Sequence, residues 1–376
     1  MKKISVVFGT RPEAIKLAPV IRALVDSEKY LVSVCVTGQH KEMLYQVLSV
    51  FNIQPDYDLE LMQVNQSLAS FTARAISAID DYLSDECPDL ILVQGDTTTV
   101  FCTALVAFYH KIQLGHVEAG LRTWNMYSPF PEEINRVLTT KLSWLHFAPT
   151  EGAKLNLLQE GIKTENIVVT GNTVIDSLLY TIHKVRDNPE LLTQFVPELI
   201  KIPASDRVVL ITGHRRESFG KGLNSVCEAI LYLSNKYPTV WFIYPVHLNP
   251  NVKEPVHKML GKQSNIMLID PLEYSPFIAL MLRAYIIITD SGGIQEEAPT
   301  LNTPVLITRD STERPEAVEC GAATLVGTKK ELIVAEFEKL ISNPEEYQKM
   351  ATARNPYGDG TASESIYKSI DRRLCT

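Results

Sequence analysis

The sequence predicts an α/β protein of two doubly wound, parallel-sheet domains facing across a cleft. Three observations predict it. Short, continuously apolar runs alternate with longer segments of helical periodicity, as parallel strands covered on both faces require. The pattern lapses over the polar, Pro-bearing stretch 187–206 and restarts at Arg207, which divides the strands into two sets. Residues just after the strands are unusually polar, and open α/β sheets bind ligands beyond the carboxyl ends of their strands.

In the first set the expected strands are 4–8, 32–37, 90–93, 114–117, 145–148 and 167–170. In the second they are 208–212, 240–244, 266–269, 286–289, 305–308 and 324–326. The domain change is expected between Gly171 and about Pro203, which gives Rossmann-like domains over 1–172 and 173–360. After the turn cluster Asn355-Pro-Tyr-Gly-Asp-Gly360 a last helical pattern begins. This segment, 361–376, is expected to cross back onto the first domain.

The 376 residues allow two or three domains, and 45% hydrophobic with 21% charged residues is ordinary for a globular protein. The net charge of −8 is spread without blocks, so neither nucleic acid nor a membrane is expected as a partner. Apolar runs reach only strand length, far short of a bilayer span. MKKISVVFGT lacks the apolar length of a signal peptide and reads as a first strand. Cys35, Cys87, Cys102, Cys227, Cys320 and Cys375 form no C-x-x-C pair. That suits a reducing, cytoplasmic location and gives no zinc signature, so no metal is expected.

Gly9-Thr-Arg-Pro-Glu-Ala-Ile-Lys16 follows the first strand. Thr10 and Glu13 have capping-box spacing, but a well-capped helix does not account for Arg11 and Lys16, which are read as ligand contacts. Gly95-Asp-Thr-Thr-Thr99 follows another strand, where Asp96 either caps the next helix or offers a carboxylate to the cleft. His116-Val-Glu118 ends the next, and period two puts both side chains on one face. Glu118 has no obvious basic neighbour in the sequence. Pro131-Glu132-Glu133 opens a helix, where acids favour the dipole. Three strand-to-helix junctions thus offer Asp96, Glu118 and Glu132 to one place, which suits proton transfer at an acidic carbon.

In the second domain, Gly213-His-Arg-Arg-Glu-Ser218 is either a diphosphate clamp or a surface salt-bridge cluster. Pro245-Val-His247 is a weaker version. DSGGIQEEAP, residues 290–299, ends a strand in glycines whose amides suit phosphate, yet it places Glu296 and Glu297 in what reads as the first helical turn. Glu297 then suits a ribose hydroxyl pair, and Glu296 the helix dipole. Arg309 and Arg314 add positive charge after the next strand. No G-x-G-x-x-G follows either first strand and no G-x-x-x-x-G-K-[ST] occurs, so neither a dinucleotide cofactor nor P-loop chemistry is expected.

FGTRPEAIK, GDTTT, GHVEAGLRT, SPFPEEINR, GNTVIDSL, TGHRRESFG, YPVHLNPN and DSGGIQEEAP stand in order along nearly the whole chain. Together they resemble the non-hydrolysing bacterial UDP-N-acetylglucosamine 2-epimerases. The resemblance implies a glycosyltransferase-B type fold with UDP in the C-terminal domain, and a homodimer. It implies interconversion of UDP-N-acetylglucosamine and UDP-N-acetylmannosamine for surface polysaccharide synthesis, without cofactor. It carries catalytic roles onto Asp96, Glu118, Glu132 and His214. It carries substrate contacts onto Arg11, Lys16, Phe277, Ser291, Gly292, Gly293, Glu297 and Arg314. Leu272 stands where the family pattern has glutamine, which implies a backbone contact there. Gln39, Arg215 and His247 match an activator site of some members, whereas Glu42 and Asn65 depart from it.

The implied chemistry is loss of UDP to 2-acetamidoglucal and re-addition with protonation on the other face, which calls for acids and bases on both faces. The alternatives are a hydrolysing epimerase, a related epimerase of a UDP-sugar uronate, a glycosyltransferase on the same architecture and a non-catalytic nucleotide-sugar sensor. A transferase needs only one base, and a sensor needs no carboxylate triad.

Overall fold

The computed structural model describes all residues except Gln39, His40, Val64, Asn65, Pro189, His214, Arg216, Glu217, Cys375 and Thr376, and only the backbone of 41–43. The chain forms two compact units, Met1–Leu179 with Tyr357–Thr376, and Tyr180–Pro356.

Unit 1 holds a parallel sheet of seven strands. In chain order they are β1 (Lys2–Phe8), β2 (Tyr30–Val36), β3 (Tyr57–Asp58), β4 (Leu90–Gln94), β5 (Gln113–Val117), β6 (Leu145–Ala148) and β7 (Ile167–Val169). Their spatial order, β3-β2-β1-β4-β5-β6-β7, reverses direction at β1 and β4. The apolar runs became strands because both faces are covered: Val7, Ile91 and Val93 pack with Phe71, Ile79 and Val100 of helices α3 (Leu68–Glu86) and α4 (Thr98–Tyr109), and Ile4, Val6 and Leu92, which alternate with them, are buried on the other face. The edge strand β3 was not expected; two residues beside Cys35 and Val36 carry no periodicity. The last helix, α16 (Ala362–Leu374), packs on α1 (Arg11–Asp26). Asp176 fixes its start by accepting from Ser363 N at 2.8 Å, and Asp371 near its end accepts from Lys29 at 2.8 Å.

Unit 2 repeats the plan with six parallel strands in the order β10-β9-β8-β11-β12-β13. These are β8 (Arg207–Thr212), β9 (Val240–Pro245), β10 (Ile266–Ile269), β11 (Ile286–Thr289), β12 (Val305–Ile307) and β13 (Ala323–Leu325). The units change over inside helix α7 (Thr173–Asp187), at Leu179/Tyr180. Among the described residues no helix is long and apolar enough to cross a membrane.

Candidate active site

The exits of β1, β4 and β5 and the first turn of α5 (Glu132–Leu142) meet at the carboxyl edge of unit 1's sheet. The Thr10–Glu13 capping box forms, with Glu13 accepting from Gly9 N at 3.1 Å and Thr10 N at 2.7 Å. The same carboxyl also takes the Thr97 hydroxyl at 2.8 Å, tying the β1 turn to the β4 turn. Burial pushes the Glu13 carboxyl up to about 7, against the lowering effect of these donors. Arg11 opens α1 and is half-buried.

Asp96 does not cap its helix. The N-cap of α4 is Thr97, whose hydroxyl accepts from Val100 N at 3.3 Å. The Asp96 carboxylate instead takes Arg136 Nη2 at 2.5 Å, and its carbonyl takes Asn135 Nδ2 at 2.9 Å. Asn135 and Arg136 lie three and four residues after Glu132 on α5, so one helical face brings all three to the β4 turn. Glu133 serves the loop, accepting from Thr123 N, from Trp124 N at 2.9 Å and from Arg136. Glu132 is left half-buried, its Oε2 without a hydrogen-bond partner among the described residues.

Glu118 corrects two expectations. The strand ends at Val117 and Glu118 has φ +62°, so the period-two argument does not extend to it. It also has a basic neighbour: Lys16 Nζ lies 2.5 Å from Oε2. Lys16, expected to meet ligand, is buried and engaged by this carboxylate, 102 residues away in sequence. Gln94 Nε2 donates to the same oxygen at 2.5 Å. His116 is fully buried and bonds the Gly95 carbonyl at 2.7 Å through Nε2. Burial lowers its pKa to about 4, so it is a neutral donor that pins the β4 turn.

The strand exits of unit 2 gather arginines. Glu313 lies between Arg309 Nη1 at 2.6 Å, Arg314 Nη1 at 2.8 Å and Arg215 Nη2 at 3.3 Å. Burial alone would raise the Glu313 carboxyl, but Arg314, Arg309 and Arg215 hold it near 2. Arg309 and Arg314 thus bring the positive charge expected from the sequence, but Glu313 offsets part of it.

The DSGG turn differs from its sequence reading in register. Helix α12 (Gly292–Glu297) has six residues and no acid in its first turn, so Glu296 does not balance the dipole. Glu296 pairs with Arg314 Nε at 2.6 Å, and Glu297 accepts from Tyr274 OH at 3.1 Å. A Cβ on Gly292 would collide with the Arg314 guanidinium, so glycine is needed for that approach, while Gly293 faces open space. Ser291 is half-buried beside it, and its N–H bonds Thr289 Oγ1 at 2.9 Å. Asp290 holds the β8 exit by accepting from Arg215 N at 2.8 Å.

Phe277 and Leu272 are half-buried, Phe277 on α11 (Tyr274–Arg283) one turn after Tyr274. His247 is exposed after β9, its Nδ1 accepting from Asn249 N at 3.1 Å. His214, Gln39 and Asn65 lie outside the described residues, as does the Glu42 side chain.

The sequence model of the UDP-N-acetylglucosamine 2-epimerase family matches residues 22–371. The chain belongs to this family. It is 50% identical over 368 residues to the UDP-N-acetylglucosamine 2-epimerase of Escherichia coli K12, covering 98% of each chain. It is similar, at TM-score 0.94 and 51% identity over 99% of this chain and 100% of the other, to the crystal structure of UDP-GlcNAc 2-epimerase from Neisseria meningitidis bound to UDP-GlcNAc. A glycosyltransferase from Rickettsia africae is similar in fold alone, at TM-score 0.65 and 15% identity over 99% of this chain and 98% of the other. The α/β fold of glycosyltransferase-B type expected from the sequence is thus the family's fold here.

Within this family member, sequence reasoning missed Gln94, Arg136, Glu313 and the second reach of Glu13. Arg136 had a signal, its helical spacing from Glu132. Glu313 had one too, its i,i+4 spacing from Arg309, whereas Gln94 and Glu13 reach partners far away in sequence, for which no local pattern exists.

Proposed function

We propose that the chain interconverts UDP-N-acetylglucosamine and UDP-N-acetylmannosamine without hydrolysis, by elimination of UDP and re-addition. The observation that carries this reading is the convergence at one sheet edge of Asp96, from the β4–α4 turn, with Glu118 and Glu132, from the two ends of the single β5–α5 connection rather than from separate junctions, and with Glu132 Oε2 buried and unpartnered among the described residues. A lone C2 proton is weakly acidic. As the C1–O bond breaks, its electron pair leaves on the UDP oxygen, C1 becomes cationic and the C2 proton becomes far more acidic. A carboxylate of unit 1 takes that proton, forming the C1–C2 double bond of 2-acetamidoglucal. In the return step a carboxylic acid on the other face protonates C2, and the UDP oxygen re-forms the bond to C1. Such groups supply about 10²–10⁴-fold each.

Unit 2 is assigned to UDP. The Ser291–Gly293 turn and Arg314 suit the diphosphate, and Glu297, oriented by Tyr274, suits the ribose hydroxyls. Arg11 and His214 are assigned to the leaving diphosphate as well. Lys16 acts through Glu118. We place the reaction in the cytoplasm, feeding surface polysaccharide synthesis. A homodimer is supported by the apolar side chains that Phe108 and Tyr109 of α4 and Leu138 of α5 leave exposed.

The test is incubation with UDP-N-acetylglucosamine in D2O, followed by proton NMR. Deuterium at C2 of both epimers, with UDP still attached, is expected. Free N-acetylmannosamine would mean hydrolysis, and an unchanged substrate would mean a transferase or a sensor.

A further inference from the structure

We infer that Gln94 is a positioning residue for Glu118, an inference that rests on the catalytic reading of Glu118 given above. Gln94 is the last residue of β4 and is buried. In the sheet it stands opposite Val117 of β5, so Glu118 is one residue beyond its partner. Its amide crosses that gap and donates to Glu118 Oε2 at 2.5 Å. The amide orientation follows from chemistry, since the reverse would set a carbonyl against an acceptor-only carboxylate.

Glu118 needs this support. Its backbone has φ +62°, a region that residues bearing a Cβ enter only when the surroundings hold them there. Two donors converge on one carboxylate oxygen from different elements, Lys16 from α1 and Gln94 from β4. Two fixed directions define the plane of the carboxylate, which one would not. The division of labour is chemical. Lys16 supplies the counter-charge that a carboxylate with 5% side-chain exposure requires. Gln94 supplies direction without a second positive charge, which would blunt the carboxylate as a proton acceptor. The β4–β5 seam is pinned a second time by His116 on the Gly95 carbonyl, so Gln94 is not needed to hold the two strand exits together.

The experiment compares Gln94→Met, similar in length and lacking the donor, with the unaltered chain and with Glu118→Gln. Removing one buried donor from a group that must be aimed is expected to lower kcat by about 10-fold to 50-fold. KM for UDP-N-acetylglucosamine and UDP affinity by calorimetry should stay within about twofold. C2 proton exchange into D2O should fall in step with kcat. In a Glu118→Gln background, Gln94→Met should cost little more, because the residue it aims has been removed. If Gln94→Met does not fold, Gln94→Glu serves in its place; it sets a carboxylate against Glu118 and is expected to lose more. A kcat within twofold of the unaltered chain, a KM that rises in proportion, or additive losses in the double variant would overturn the inference. If Glu118→Gln itself turns over normally, the catalytic reading of Glu118 fails instead.

Discussion

At the strand exits of unit 1, acids are in excess and each is matched by few cations: Glu118 has Lys16, Asp96 shares Arg136 with Glu133, and Glu132 Oε2 has no partner among the described residues. At those of unit 2 the ratio is inverted, with two acids, Glu313 and Glu296, paired to three cations, Arg215, Arg309 and Arg314. The two sheets share a plan, so the difference lies in the loops. A surplus of carboxylates suits moving a proton, and a surplus of guanidinium groups suits holding an anion.

The comparison breaks most visibly at Glu132. Glu132→Gln is expected to lower kcat by at least ~10²-fold while UDP affinity by calorimetry stays within about threefold. Equal losses in both would show that unit 1 binds rather than transfers protons. On the other side, Glu297→Ala should raise KM by roughly 10–100-fold with kcat little changed, as loss of a charge-assisted hydrogen bond predicts. Unchanged UDP affinity would remove the ribose assignment.

A smaller effect concerns stability. Burial lowers His116 to about 4 and His146 to about 3, below the ordinary 6.5. The unfolded chain therefore binds these protons first, and the stability the two rings confer is complete above 6.5 and lost as pH falls toward 4. Glu13, raised from 4.5 to about 7, works in the opposite sense: its contribution is complete below 4.5 and fades as pH rises through 7. The combined contribution of these three groups is greatest at about pH 7. Between pH 7 and 5 the melting temperature should fall, and His146→Leu should recover at least about 5 °C of that fall. An identical pH profile in the variant would contradict this.

Most of the fold was legible because parallel strands are continuous apolar runs; only β3, two residues long, left no trace. The carboxylates were legible because they follow strands. Their partners were not, because Lys16–Glu118 and Arg215–Glu313 are closed by topology rather than spacing. The two acids of DSGGIQEEAP were misplaced for a different reason. The helix starts at Gly292 and lasts six residues, so its fifth and sixth positions form its end. There Glu296 meets Arg314 and Glu297 meets Tyr274.

The central claim is that the unit 1 carboxylates handle the C2 proton, and Asp96→Asn tests it most directly. The measurement is turnover and C2 exchange in D2O, beside UDP affinity, for the same preparation. The account predicts turnover down by at least ~10²-fold, nearly intact UDP binding, and some leakage of 2-acetamidoglucal. Normal turnover, or substrate binding lost in proportion to activity, would contradict it.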